Sequence, residues 1–243
     1  MHRFFCNSQD ITKDTLNITD LDKVHHIRDV LRIKKNEVLS ISDEKNNAYL
    51  CRIEEFYPER IRLKIKARIK EKDSGVSLAV ACAIPKKVKM DDIIDKLTQL
   101  GVSRIIPMRT SRVIVKWGTE KEHMHLERWR KIAQSAAEQS QGNYISAVDP
   151  VMNIEEVIGS FLDYDLKLIP ALFGRRQDIK DVLAQNKPGK VIALIGPEGD
   201  FSGQEMRLAQ KNGFIPITLG TRVLRVDTAA IALAASVLIY ANH

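Results

Sequence analysis

VIALIGPEGDFSGQE, residues 191–205, is the stretch whose reading decides the fold. Five apolar residues run straight into Gly196-Pro197-Glu198-Gly199, and a polar run follows. An unbroken apolar run of this length reads as a strand covered on both faces. Pro197 has no backbone N–H, and Gly196 and Gly199 reach dihedrals closed to other residues, so the chain bends sharply where the strand ends. Ser202 and Glu205 have the S-x-x-E spacing of a capping box, which predicts a helix from Gly203 to near Gly213. Strand, bend and helix together form one unit of an open α/β sheet, in which ligands bind beyond the carboxyl ends of the strands.

A second junction of this kind follows within twenty residues. FIPITL (214–219) leads to Gly220, then to TRVLRVDT (221–228), then to AAIALAASVLIYAN (229–242). The last segment predicts a helix from near Thr228 that is apolar on nearly every side and therefore buried on most faces, in a dimer interface or beneath another segment. Upstream, VSLAVACAI (76–84), RIIPM (104–108), RVIVKW (112–117) and KLIPAL (167–172) read as further strands. Met90, Ile93, Ile94, Leu97 and Leu100 recur at helical spacing, with Gly101 in the C-terminal capping position. A long helix is expected from about His123 to Gln141, with Met124, Trp129, Ile132, Ala133 and Ala136 facing inward. The alternation defines an α/β domain with a largely parallel sheet.

The first seventy residues follow a different period. EVLSI (37–41), AYLCRI (48–53) and RIRLKIKARIK (60–70) alternate as half-buried strands, DEKNN (43–47) signals a turn, and VHHIRDVLR (24–32) is helical, the pattern of a small β-barrel or sandwich. KEKDSG (70–75) breaks the pattern and places a domain boundary between residues 1–72 and 73–243. In RIRLKIKARIK, Arg60, Arg62, Lys64, Lys66, Arg68 and Lys70 share one face and Ile61, Leu63, Ile65 and Ile69 the other. That basic face is either a solvated outer surface or a ridge against phosphates.

The chain has 243 residues, of which 44% are hydrophobic, enough for a substantial core. Thirty-eight Lys and Arg against 31 Asp and Glu give a net charge of +7, and the pI of about 9.3 favours an anionic partner, with nucleic acid first among them. Cys6, Cys51 and Cys82 form no CxxC pair, which argues against a disulfide framework or thiolate metal site and suits a reducing cytoplasm. MHRFFCNSQD does not read as a signal peptide, and the apolar run Ala229 to Ala241 falls short of the ~20 residues a bilayer span needs, so no membrane is expected. The absence of GxGxxG after a strand, of GxxxxGK[ST] and of GxSxG argues against a dinucleotide dehydrogenase, a P-loop enzyme and an α/β-hydrolase. No metal site is expected: His25-His26 and His123-x-His125 lack partners at ligand spacing.

IGPEGDFSGQE (195–205) followed by LGTRVLRVDTAA (219–230) closely resembles the paired signature of the RsmE family, SPOUT-type methyltransferases that modify N3 of a uridine in 16S ribosomal RNA. MHRFF, VLRIKKNEVL (30–39), KLTQLGVSRIIPMRTSR (96–112) and RWRKIAQSAAEQS (128–140) extend the resemblance along the chain in the same order. It implies an N-terminal PUA-like β-barrel that binds RNA, a C-terminal SPOUT α/β domain with a trefoil knot, a homodimer, and S-adenosylmethionine as cofactor. Carried over by position, the cofactor residues are Leu194, Gly196, Pro197, Glu198, Gly199, Leu219, Gly220 and Leu224. Glu198 is the leading general base with Asp227 second, and Arg225 stands ready to stabilise a uridine anion. Asp227 has a second reading, as the cap of the final helix. Contact with 16S rRNA or the small ribosomal subunit falls to Arg3, Arg28, Arg32, Lys64, Lys66 and Arg112, with Arg28 and Arg32 four apart on one helix face. A Gly199→Val change is expected to fill the bend. The chain departs from the family pattern at Gln99 and Ser135. Asp200 stands where glycine is usual, Asp227 where glutamate is, and Gly142 and Ser146 where arginine and proline are. Two alternatives stay open: a SPOUT enzyme that methylates the ribose 2′-oxygen, and a non-catalytic RNA-binding ribosome-assembly factor.

Overall fold

The computed structural model describes residues 2–43, 47–69, 75–85, 89–113 and 117–241. The chain forms two compact units, Met1–Lys72 with Ala137–Ile145, and Asp73–Ala136 with Ser146–His243.

The first unit contains β1 (Arg3–Cys6), β2 (Thr15–Ile18), α1 (Leu21–His25), β3 (Val38–Asp43), β4 (Ala48–Phe56) and β5 (Ile61–Ile69). The strands lie in the order β1-β3-β4-β5-β2; β1 and β3 run parallel and the other pairs antiparallel. All five strands and α1 contribute to one core that includes Phe4, Leu16, Val24, Leu39, Ile53 and Leu63. Along β5, Ile61 and Leu63 are buried while Arg62, Lys64 and Lys66 are exposed, as the alternation predicts. Leu50 pairs with Ala67 and Cys51 with Ile65, so Lys66 is the extra residue of a bulge. Lys70 of the same series, and most of the expected turn at 43–47 and break at 70–75, lie outside the described residues.

The single helix expected over 24–32 is corrected. Asp20 caps α1 by accepting from the N–H groups of Asp22 and Lys23 at 3.0 and 3.3 Å, so the helix starts earlier. It then widens into a π-helical turn at His26–Val30, where Leu31 N–H donates to the His26 carbonyl at 2.8 Å. Arg32 leaves the helix with φ at 52°, and Arg28 and Arg32 therefore do not share a helix face.

The second unit contains β6 (Ser77–Ala83), α2 (Lys89–Leu100), β7 (Arg104–Arg109), α3 (Thr119–Gln139), β8 (Ala147–Val148), β9 (Met152–Asn153) and α4 (Ile154–Ser160). It continues with β10 (Leu166–Pro170), β11 (Gln177–Asp178), α5 (Ile179–Gln185), β12 (Lys190–Ile195), α6 (Gly203–Lys211), β13 (Ile215–Thr218) and α7 (Val226–Ala241). The last residues of α3 group with the first unit. The sheet order is β11-β13-β10-β12-β6-β7-β8, with β9 alongside β7 and every pair parallel. Ala79 and Ala81 of β6 share a core with Phe161, Phe201 and Phe214 beneath α4 and α6, whereas α7 packs on β6, on β12 and against α2. Both faces of β6 and β12 are thus covered, which is why their sequences are apolar without alternation.

Other expectations shift in detail. The long helix begins at Thr119, and Met124 is 59% exposed and Leu100 also exposed rather than inward. In the strand expected over 112–117, residues 114–116 lie outside the described residues, and Val113 N–H closes a turn onto the Thr110 carbonyl at 3.0 Å. α7 begins two residues earlier than expected and is not buried all round, since Ile239 is 61% exposed. Truncation of Phe161 to alanine, in the core beneath α4, is expected to cost about 3–5 kcal/mol, read from the denaturant midpoint at unchanged m-value.

Candidate active site

The sheet order sets β10 between β12 and β13, so three carboxyl ends lie side by side. A cleft of about 240 Å³ opens there, walled by the bend after β12 (Gly196, Pro197, Glu198, Asp200), by Leu219, Gly220 and Leu224 after β13, and by Ala171 and Leu172 after β10. The two junctions singled out in the sequence therefore face one cavity. Gly220 has φ at 119°, a backbone shape that favours glycine. A Cβ on Gly196 would stand 2.9 Å from Cε2 of Phe201, a buried core ring. At Gly199 a Cβ would meet only the Arg112 side chain, at 3.6 Å, an ordinary contact. Leu194 is fully buried in the core beneath the cleft and does not line it.

Long-range polar ties hold the bend. The Glu205 carboxylate, 6% exposed, accepts from Ser111 N–H at 2.7 Å, Ser111 Oγ at 3.1 Å and Ser202 N–H at 2.7 Å. Burial opposes its charge, but these hydrogen bonds prevail and hold its pKa below the ordinary carboxyl value. Beside Ser111, the Arg112 guanidinium donates to the carbonyls of Gly199 and Asp200. Asp200 itself has φ at 63°, and its carboxylate accepts from Leu172 N–H at 3.0 Å and from Phe201 N–H at 2.8 Å. Arg176 donates to the carbonyls of Ala171 and Leu172 at 2.9 and 2.7 Å, which fixes the third wall. Sequence reading did not find Ser111, Leu172 and Arg176, because nothing local marks a segment that reaches the bend only through strand order.

The charged candidates are placed differently from one another. Glu198 lines the cleft; Arg225 is exposed on the loop before α7 and does not line it. Asp227 sits in the first turn of α7, and its Oδ1 is buried without a hydrogen-bond partner among the described residues. Burial, then the negative charges of Asp227 and Glu198, push the Cys82 thiol up to about 12. Both carboxylates are therefore felt at the carboxyl end of β6.

Among the candidate RNA contacts, Lys64 and Lys66 stand exposed on β5. Arg28 is exposed but paired with Asp29 at 3.0 Å, and Arg32 is exposed on its left-handed residue. Arg3 donates to Gly142 O at 3.3 Å and Asn143 Oδ1 at 3.0 Å, and so orders the turn after α3. Arg112 belongs to the second unit and is engaged at the bend. Among the described residues no cluster of three or more His, Cys, Asp or Glu side chains can hold a metal ion, and no helix is long and apolar enough to cross a membrane.

A parallel sheet with ligand-sized space beyond its carboxyl ends, attached to a small basic β-rich unit, defines a class. Residues 72–238 match the RNA methyltransferase domain family and residues 18–66 the RNA methyltransferase PUA domain family, so the chain is an RNA methyltransferase with a PUA domain. Within that class it belongs to the ribosomal RNA small subunit methyltransferase E family, the RsmE family. It is 32% identical to that protein of Mesomycoplasma hyopneumoniae over 96% of this chain and 97% of the relative. The Bacillus subtilis protein of the same name is 28% identical over 88% of this chain and 86% of its own length. The crystal structure of the Neisseria gonorrhoeae protein, bound to S-adenosyl methionine, superposes with a TM-score of 0.81 at 29% identity, covering 97% of this chain and 96% of that one.

Two outcomes follow from this geometry. Gly196→Ala should destabilise the fold by about 1–3 kcal/mol through overpacking against Phe201, whereas Gly199→Ala should stay within about 0.5 kcal/mol, both by thermal melting. Glu205→Gln should cost about 1–3 kcal/mol at neutral pH. Because the folded pKa is depressed, that advantage of the wild type is full above the ordinary value of 4.5 and is lost as pH falls through the lower folded value; urea unfolding across this range checks the sign.

Proposed function

We propose that the chain transfers a methyl group from S-adenosylmethionine to N3 of a uridine in the 16S RNA of the small ribosomal subunit. The observation that carries the reading is that the bend at 196–200 and the loop at 219–224 wall a single cleft in a member of this family. The residues fit the cofactor. Leu219, Leu224, Val226 and Pro197 offer apolar surface to an adenine ring, and the backbone of the two turns offers donors and acceptors to its edges. Gly196, Glu198 and Gly220 line the space around it, Gly199 belongs to the same bend without lining the cleft, and Leu194 supports the bend from below.

When bound, S-adenosylmethionine supplies an electrophilic methyl group on a sulfonium. The protein has to prepare the nucleophile, because uridine N3 carries a proton. Glu198, on the cleft wall, takes that proton, and Asp227 is the reserve carboxylate, its shielded Oδ1 unmatched among the described residues. Arg225, on the loop between cleft and α7, offsets the negative charge that spreads onto the uracil carbonyls. Residues 1–72 form the PUA-like RNA-binding domain and 73–243 the SPOUT methyltransferase domain. Lys64, Lys66, Arg28, Arg32 and Arg3 of the first and Arg112 of the second make positional contacts with phosphate, directly or by ordering their surroundings. The segment through both turns is threaded as a trefoil knot. Two copies associate through the less buried face of α7, where Ile239 and Tyr240 are exposed, and the enzyme works in the cytoplasm.

Methylation of unmodified small subunits, read by nucleoside mass spectrometry and primer extension, tests this function. The expected product is 3-methyluridine, which blocks Watson–Crick pairing and stops the primer. A ribose 2′-O-methyl product, or no product together with no binding of S-adenosylmethionine by calorimetry, would refute it. Charge reversal of Lys64 and Lys66 should weaken binding to 16S RNA and lower the slope of log affinity against log salt by about 0.7–0.9 per lost phosphate contact.

A further inference from the structure

The cleft beyond β10, β12 and β13 is electrically two-sided, and the sheet order is the reason. Among the described residues, the charged side chains that line it are Arg176, Arg222, Glu198 and Asp200. Arg176 stands immediately before β11 and Arg222 on the loop after β13, and these two strands are neighbours, with Gln177 beside Ile217. Glu198 and Asp200 lie in the bend after β12, on the far side of β10. Two strand spacings, about 10 Å, separate β13 from β12. Cations therefore occupy one wall of the cleft and carboxylates the opposite one.

We propose that Arg222, with Arg176 as second donor, binds the carboxylate of the cofactor's methionine moiety and so fixes which way S-adenosylmethionine lies in the cleft. The inference rests on the methyltransferase reading and adds the orientation of the cofactor. Arg222 is exposed and makes no hydrogen bond or ion pair among the described residues. Its loop is nevertheless held, since the Thr218 hydroxyl donates to Gly220 O at 2.8 Å and accepts from Gly220 N–H at 3.3 Å. Arg176 uses Nη1 on the carbonyls of Ala171 and Leu172, at 2.9 and 2.7 Å, and its Nε and Nη2 are unengaged among the described residues. Guanidinium groups with idle donors on the wall of a ligand cleft match a carboxylate, which takes two parallel N–H groups.

The opposite wall rejects that group and suits the rest of the ligand. Glu198 and Asp200 both place negative charge there, and a third carboxylate beside them is repelled. S-adenosylmethionine carries one anionic group, the carboxylate, and two cationic ones, the ammonium and the sulfonium. With the carboxylate on Arg222, the sulfonium falls on the Glu198 side, where the proton of uridine N3 is taken. The reversed pose sets like charges together at both walls. Loss of the methyl group removes the sulfonium charge and leaves the carboxylate, so Arg222 holds S-adenosylmethionine and S-adenosylhomocysteine alike.

Calorimetry on the full-length protein tests the assignment with three ligands: S-adenosylmethionine, S-adenosylhomocysteine and decarboxylated S-adenosylmethionine, which lacks only the carboxylate. The wild type should bind the decarboxylated ligand about tenfold more weakly than S-adenosylmethionine, the low end for a charge-assisted hydrogen bond because Arg222 is exposed. Arg222→Gln should weaken S-adenosylmethionine and S-adenosylhomocysteine about tenfold each and leave the decarboxylated ligand within about twofold. Arg222→Lys, a single point charge, should lie between. An equal loss for all three ligands in Arg222→Gln marks a loop-shaping role and overturns the proposal. Unchanged cofactor affinity with a lowered salt dependence of 16S RNA binding does so too, because it assigns Arg222 to phosphate. Equal affinity of the wild type for S-adenosylmethionine and its decarboxylated form has the same consequence. A wild type that binds none of the three overturns the parent reading instead.

Discussion

The buried carboxylate of Glu205 is the constraint on which the site depends. It completes the capping box at the start of α6 and also holds Ser111, 94 residues earlier in the chain. Separating the two segments would strand a charge in a place that is 6% exposed, and an uncompensated buried charge costs about 3–5 kcal/mol. With Ser111 fixed, Arg112 is delivered to the carbonyls of the bend, and the bend in turn seats Gly196 against Phe201. One ion thereby fixes the bend that walls the cofactor cleft, and a site that holds its geometry in advance suits a reaction in which positioning supplies much of the rate.

Around that tie the sheet performs a simpler task. Parallel strands all direct their carboxyl ends to one edge, and insertion of β10 between β12 and β13 places three loops around one cleft. None of these loops is left to itself: Arg176 ties the first, Arg112 the second, and the Thr218 hydroxyl accepts from Gly220 N–H at 3.3 Å in the third. The walls are therefore pre-formed, and little ordering entropy opposes binding. In its proposed role the basic strand of the first unit would work on a different principle, since exposed lysines on a bulged strand gain affinity from phosphate charge and need no fixed geometry.

What could be read in advance follows the range of the signals. β6 and β12 were legible because full burial writes an unbroken apolar run, and α6 because Ser202 and Glu205 announce its start. Both cleft-forming turns were legible for the same reason: their glycines and proline stand directly after strands. Periodicity located inward faces but not their neighbours, so Met124 and Leu100 were assigned to a core that does not cover them. α4 and α5 have only seven residues each, too few for two full turns of a repeat. The π-helical turn depends on an i→i−5 hydrogen bond that no residue pattern specifies. The wall contributed by Leu172 and the tie from Ser111 to Glu205 depend on strand order, which local pattern leaves open.

Asp200 shows how a local departure and a distant contact explain one another. Its φ of 63° lies where a side chain costs about 1–2 kcal/mol relative to glycine, the residue that the sequence resemblance leads one to expect there. Aspartate is among the residues that tolerate this region best, and here its carboxylate accepts two backbone N–H groups, one from Phe201 beside it and one from Leu172 across the cleft. Hydrogen bonds to a charged group contribute about 1.5–3 kcal/mol each, enough to offset the backbone cost. A glycine would relieve the backbone and leave the loop after β10 without this tie. In this chain, strain in one turn is therefore exchanged for a wall that holds its shape before any ligand arrives.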